Sequence, residues 1–368
     1  MKMKKTLIIA LILVFCVSLG IGLVGCGGGS NQQPAEDAVF VLRLDNTDPE
    51  GAFTSQGMRK WAEEIREASN GRLQIEIYYS SALGAPRDIY TNLLSGVSDI
   101  AFIATPLLPG TFPLTEGAIL PRLGAANNIS AGLALQMLFE ENAEMQEEMK
   151  NVRVLGMFTN ECYIPISNGP NISELSAWNG VRARAAGTIQ SNFVNKLGGV
   201  ATSIPTGETY EAYNKRIVDV VLWNWSSTIS FGLVEDTVYV VPDILGYAPI
   251  FMPMNLNAYQ RLPDDLKAIL DAHSGQHLSE IIGTTWYGGA VEAAGRVEEA
   301  GIQIVNATPE LLAAFQRAND ELEADYIADM ASRGLDGAAF LSRLKELIQE
   351  TNIRFPNNFY DEYLATRG

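Results

Sequence analysis

The chain has 368 residues, an apolar fraction of 47% and a net charge of −17 at pH 7. That length accommodates two domains or one large one with a sizeable core. So acidic a balance argues against nucleic acid as a partner, but leaves small anionic ligands open, because one buried cation decides local recognition.

Met1-Lys2-Met3-Lys4-Lys5 is a basic start, and Thr6 to Gly22 is apolar and uncharged. Leu23-Val24-Gly25-Cys26 follows, then Gly27-Gly28-Gly29-Ser30. This reads as a secretory signal over residues 1–25. Its end resembles the lipobox of bacterial lipoproteins, which would make Cys26 the lipidated residue and residues 26–37 a flexible tether. The competing reading is an uncleaved membrane anchor. Removing residues 1–25 takes away three lysines and no acid, moving the net charge from −17 to −20. With Cys16 in the signal and Cys26 lipidated, Cys162 is left alone, so no internal disulfide is expected. No base neighbours Cys162, which reads as a small apolar filler in a strand.

Residues 39–44 read as a strand, and Asp45-Asn46-Thr47-Asp48-Pro49 breaks it. A helix follows over about 51–69, with Met58, Trp61, Ile65 and Ala68 as its buried stripe, ended by Asn70-Gly71. Residues 73–79 alternate as a second strand, giving a parallel β-α-β unit. A helix over 87–95 and a strand over 100–104 come next. The loop 106–121 carries apolar residues, including Phe112, and long loops of that kind are usually functional. A helix over 137–150 and strands over 152–158 and 163–166 complete the first half. The second half has a strand carrying Arg184, a helix to Leu197, a strand to Pro205, and an apolar strand ending on Trp223 and Trp225. Strands over 238–242 and 249–255 follow. From Leu262 a helix of roughly 37 residues is expected, about 55 Å long, with glycines as bend points.

Catalytic and metal signatures are missing from the pattern. There is no phosphate-binding Gly-rich loop after a strand. His273 and His277, with Glu280 near, lack the acid of an H-E-x-x-H site and have Gly275 between them. Asp45, Asp48 and Glu50 do not have calcium-loop spacing. Two histidines on one structural helix leave little for a Ser-His-Asp device. No enzyme, metal or cofactor is expected.

Arg184 stands at the C-terminal end of an apolar strand, where α/β sheets expose ligand crevices. It suits a carboxylate fork and, equally, a surface ion pair like the one that neighbouring Arg182 suggests. Trp223 and Trp225 alternate onto one strand face with Asn224 on the other, as core or as pocket wall.

Several ordered stretches carry a resemblance. They are Trp61-Ala62-Glu63-Glu64-Ile65, Ser69-Asn70-Gly71-Arg72, Gly96-Val97-Ser98-Asp99-Ile100, Pro109 to Leu114 with Leu120-Pro121, and Gly180-Val181-Arg182-Ala183-Arg184. Glu208-x-Tyr210-x-Ala212, Val218-Asp219, Val221 to Trp225 and Leu270 to Gly275 continue it. From about Val39 onward the chain resembles the solute-binding proteins of TRAP (tripartite ATP-independent periplasmic) transporters, the dicarboxylate-binding-protein-like (DctP) family. The resemblance implies an α/β fold of two periplasmic-binding-protein-like lobes sharing a long helix. Lobe I would take residues 38–160 and about 250–300, and lobe II residues 161–249 and about 301–368. It places the carboxylate-binding role on Arg184, with Asn46, Trp223, Tyr163, Phe112 and Trp225 as further pocket candidates. The implied partners are a small organic acid, with an aromatic or apolar part to match the tryptophans, and the membrane subunits of a TRAP permease. The protein would be anchored through Cys26 in the periplasm or on the outer face of the cytoplasmic membrane. A receptor-sensing role and an exported hydrolase are the alternatives. The chain departs from the family at Arg184-Ala185-Ala186, at Lys215 to Val220, and at Asp45-Asn46, all flanking the expected pocket.

Overall fold

The computed structural model describes residues 38–365. The expected signal, the tether and Cys26 lie outside the described residues. In chain order the strands are β1 Phe40–Asp45, β2 Leu73–Tyr78, β3 Ile100–Ala101, β4 Ile103–Ala104, β5 Val152–Thr159, β6 Ile164–Ser167, β7 Arg182–Ala185, β8 Val200–Ser203, β9 Val220–Trp223, β10 Tyr239–Val240, β11 Pro249–Asn255 and β12 Gln303–Ile304. They form two mixed sheets. The first runs β2-β1-β3-β11-β4 with β5 paired to β11, and the second runs β12-β10-β6-β9-β7-β8. β1 is parallel to β2 and β3, as a β-α-β unit requires. In the second sheet β7 is parallel to both β8 and β9.

The chain passes from the first sheet to the second after β5 and returns before β11. These two passages run antiparallel and are bonded to each other. Tyr163 N–H donates to Gly246 O at 2.8 Å, Leu245 N–H to Tyr163 O at 3.0 Å, and Asn160 N–H to Ala248 O at 3.0 Å. Asn160 adds its side chain, which accepts from Ala248 N–H and donates to Cys162 O, both at 2.6 Å.

Helix Phe53–Ala68 buries Met58, Trp61 and Ile65 at the expected 3- and 4-residue spacing. It ends where Asn70 and Gly71 take positive φ. The helix expected over 137–150 is different. Helix Asn128–Glu141 begins nine residues earlier than a reading of charge alone suggests, because Asn127 and Ser130 form a reciprocal capping box. Asn142 then caps a separate short helix, Ala143–Glu148. The single helix from Leu262 is also corrected. It is two helices, Asp264–Ala272 and Gln276–Glu299, broken at Gly275 with φ 65° and ψ −133°. At the break, Gly275 N–H donates to Leu155 O of β5 and Trp61 Nε1 of helix Phe53–Ala68 to His273 O, so groups distant in the chain take up the backbone bonds. The later glycines stay helical within Gln276–Glu299.

That 24-residue helix, about 36 Å long at 1.5 Å per residue, serves both sheets. Leu278, Ile281, Ile282 and Trp286 enter the core under the first sheet with Leu44, Trp61 and Met252. Ala290, Ala293, Ala294 and Val297 enter the core under the second with Ile164, Val221 and Trp225. A third cluster joins Phe112, Leu135, Tyr163, Phe193, Phe251 and Phe315. The C-terminal helices add to it: Pro309–Ser332 packs on helix Gly187–Lys196, and Gly337–Arg354 packs on Asn128–Glu141.

The shared helix is kept close to its neighbour by one small residue. A Cβ on Gly289 would lie 2.2 Å from the Phe53 ring, whereas Gly288 beside it faces open space. Gly289→Ala should therefore destabilise the protein by about 1–3 kcal/mol through overpacking. Gly288→Ala should stabilise it by about 0.5–1 kcal/mol through helix propensity alone. Opposite signs in a pair of thermal melts check this; equal shifts would show that Phe53 does not set the approach.

Candidate functional site

Between the two sheets lies a cavity of about 90 Å³. The first sheet and its loops contribute Thr47, Asp48, Phe102, Ala104, Pro106, Leu107 and Ile250; the second contributes Arg184, Leu222, Trp223, Asn224 and Phe231. Asn160 and Tyr163 of one passage, Ala248 of the other, and Trp286 of the shared helix complete much of the wall. A larger cavity of about 530 Å³, lined by Arg122, Asp243, Tyr247 and Gln316 among others, lies elsewhere and includes none of these strand-end groups.

Arg184 is next to last in β7, held between Thr202 of β8 and Val221 of β9. It stands 5% exposed. Its Nε donates to Ile204 O at 3.1 Å, and its guanidinium carbon lies 4.4 Å over the Trp223 ring. No ion pair is formed by Arg184 among the described residues. Burial without an anion lowers its pKa to about 9, which leaves it cationic at neutral pH. Arg182, two residues earlier, is the contrast: it is exposed and grips Asp219 with Nε at 2.9 Å and Nη2 at 2.6 Å. One arginine of the pair is a surface ion pair, and the other is a buried cation with no acid partner among the described residues.

Trp223 meets Phe231 edge-on at 5.6 Å, and its Nε1 is buried with no hydrogen-bond partner. Tyr163 reaches the same cavity, though its hydroxyl is already donated to Ile119 O at 2.8 Å. Arg184, Trp223 and Tyr163 are thus brought together, and the other three expected pocket residues are not. Asn46 is fully buried outside the cavity wall, where Nδ2 donates to Ser55 and Oδ1 accepts from Asp48 N–H, so it shapes a turn. Phe112 packs edge-on against Tyr90 and Phe251 in the core. Trp225 does not share a strand face with Trp223. The Asn224 side chain accepts from Ser227 N–H and starts helix Trp225–Ser230, which ends the strand and turns the Trp225 ring onto Tyr360.

Sequence reading missed the polar frame of the cavity. Gln190 accepts from Ala186 N–H at 2.8 Å and secures the turn after β7. Glu161, fully buried in the first passage, accepts from Trp225 N–H at 2.8 Å and Ser226 N–H at 3.1 Å. Ser226 Oγ in turn accepts from Trp286 Nε1 at 2.8 Å, so the passage, helix Trp225–Ser230 and the shared helix are locked together. Burial raises the Glu161 carboxyl to about 7, against the opposing pull of those donors. The Asn-x-x-Ser pattern of a helix cap was the one available signal, at Asn224.

The histidines do not converge on a metal. His277 Nε2 lies 2.8 Å from Glu64 and His273 Nδ1 2.8 Å from Ile269 O. Among the described residues no cluster of three or more His, Cys, Asp or Glu could hold one. Cys162 is buried, and its thiol pKa is pushed well up by desolvation and then by Glu161.

The family model for bacterial extracellular solute-binding protein, family 7 (DctP), matches residues 45–329. The chain belongs to the DctP family of TRAP solute-binding proteins. Its fold matches a marine metagenome TRAP solute-binding protein specific for aromatic acids, solved with 3-hydroxybenzoate. The TM-score is 0.81 at 27% identity, over 86% of this chain and 99% of that one. A TRAP solute-binding protein from Rhodoferax ferrireducens, solved with copurified benzoate, matches with a TM-score of 0.80 at 24% identity, over 85% and 99% of the two chains. The outer membrane transporter protein TsaT of Comamonas testosteroni is 23% identical over 297 residues, 78% of this chain and 86% of that one. Among the described residues no helix is long and apolar enough to cross a membrane.

One acid just before the cavity-lining Thr47 and Asp48 in the chain carries a pH signature. Asp45, the last residue of β1, is 1% exposed, and both carboxylate oxygens lack a partner. Desolvation raises its pKa to about 6. The folded state therefore prefers the protonated acid. Its stability cost is absent below about pH 4 and grows as pH rises through about 6. Asp45→Asn should raise stability at pH 8 by about 1–2 kcal/mol and lose that advantage at pH 4. Denaturant melts at the two pH values test it, and an equal effect at both would refute the linkage.

Proposed function

We propose that this TRAP solute-binding protein captures a small aromatic carboxylate in the cavity between its sheets, with Arg184 taking the carboxylate, and hands it to a TRAP permease. The observation that carries the reading is the buried, cationic, acid-free guanidinium of Arg184 on the cavity wall. Such a cation is costly to bury alone, and a ligand carboxylate returns the missing partner as a charge-assisted fork. The Trp223 ring beneath it, with Phe102, Phe231 and Trp286 on the wall, offers flat apolar contact to a ring. A cavity of about 90 Å³ favours one compact ring. The marine relative specific for aromatic acids, at 27% identity, supports the same class.

Two lobes, residues 38–160 with 250–300 and residues 161–249 with 301–368, would close by bending at the paired passages around Asn160 and Ala248. The lipid on Cys26 would keep the receptor in the periplasm or on the outer face of the cytoplasmic membrane, near its permease. Cys26→Ala should release the protein from the membrane fraction while leaving ligand affinity unchanged.

Arg184→Ala should weaken binding of benzoate-type acids by about 2–5 kcal/mol, more than tenfold in Kd, with Arg184→Lys retaining part of it. Calorimetric titration of wild type and both variants provides the check. Wild-type affinity in the alanine variant would end the carboxylate-clamp reading.

A further inference from the structure

The cavity wall holds two charged side chains, Arg184 and Asp48. They come from different sheets: Arg184 from β7 of the second, and Asp48 from the turn after β1 of the first. No ion pair joins Asp48 to a cation among the described residues. Its place is nonetheless fixed. Its N–H donates to Asn46 Oδ1 at 3.0 Å, its carbonyl accepts from Ser80 N–H at 3.0 Å, and one carboxylate oxygen accepts from Thr54 Oγ1 at 2.5 Å. Burial pushes its carboxyl above the usual carboxylate range, with the Thr54 and Thr47 hydroxyls pulling the other way. The cavity thus offers a cation from one wall, an acceptor from the other, and aromatic faces between.

Resting on the carboxylate reading above, we infer that Asp48 is a specificity-determining residue: it accepts a hydrogen bond from a hydroxyl on the ligand's ring and rejects a second carboxylate. A ligand acid laid against Arg184 orients its far edge toward the opposite wall. A hydroxyl there replaces the water an acid needs as a donor, and a bare ring supplies the acid with no donor beyond the threonine hydroxyls it already has. A second carboxylate meets a like charge in a confined space, which opposes dicarboxylates. The two opposite charges also fix which end of the ligand goes where.

The test is a calorimetric titration of the purified protein with benzoate, 3-hydroxybenzoate, 4-hydroxybenzoate and isophthalate, in wild type, Asp48→Ala and Asp48→Asn. Asparagine keeps an acceptor for Thr54, so the turn survives in that variant. Wild type should bind one hydroxybenzoate roughly tenfold or more tighter than benzoate and should refuse isophthalate. Asp48→Ala should erase the hydroxyl preference by bringing the hydroxybenzoate and benzoate affinities together, and Asp48→Asn should improve isophthalate binding. A hydroxyl preference that persists in both variants, or is absent in wild type, overturns the role of Asp48 alone. Failure of every ring acid to bind, or wild-type affinity in Arg184→Ala, overturns the carboxylate reading and this inference with it.

Discussion

A guanidinium held out of water with no acid beside it is the constraint on which the rest of this molecule depends. Removing an ion from water costs several kcal/mol unless a partner compensates. Among the described residues, Arg184 has one carbonyl and one indole face as partners. The fold bears that cost by holding the arginine between two parallel neighbours in β7. Its rotamer is limited by Ile204 on one side and Trp223 on the other. The arginine two positions away shows the cheaper alternative, a solvent-exposed ion pair with Asp219, of the kind that contributes little either way.

The surrounding architecture brings that cation to a boundary. Two sheets, each with its own core and with a third cluster drawn from both, are tied by two antiparallel passages and by one helix that feeds residues into the first two cores. Glu161, Ser226 and Trp286 connect the first passage to the shared helix through consecutive hydrogen bonds by way of helix Trp225–Ser230. A group placed there feels displacement of either sheet, because packed elements shift between discrete arrangements instead of deforming smoothly. The cavity wall is drawn from the same elements, so filling the cavity and relating the sheets involve one set of residues.

Much of this was legible in the chain. Periodic burial at Met58, Trp61 and Ile65 marks the first helix, and apolar runs mark most strands, since these patterns follow from local geometry. The family resemblance carried the fold class, and Arg184 stood out as a charge at a strand end. Helix boundaries were less legible. The break at Gly275 depends on a bond to Leu155, 120 residues earlier in the chain, and the start at Asn128 depends on a cap that a charge pattern hides.

The sequence by itself determined most of the elements and the presence of an arginine suited to an anion, because propensity, periodicity and residue chemistry are local; the two-lobed class was implied by the family resemblance. Only the tertiary structure decided which aromatic rings face the cavity. Asn224 ends β9 one residue after Trp223, sending Trp223 to Arg184 and Trp225 to Tyr360. It also decided that Arg182 has an acid and Arg184 has none among the described residues, and that Asp48 shares the wall with Arg184. Each of these turns on residues far apart in the chain meeting across two sheets, a relation that spacing along a strand does not encode.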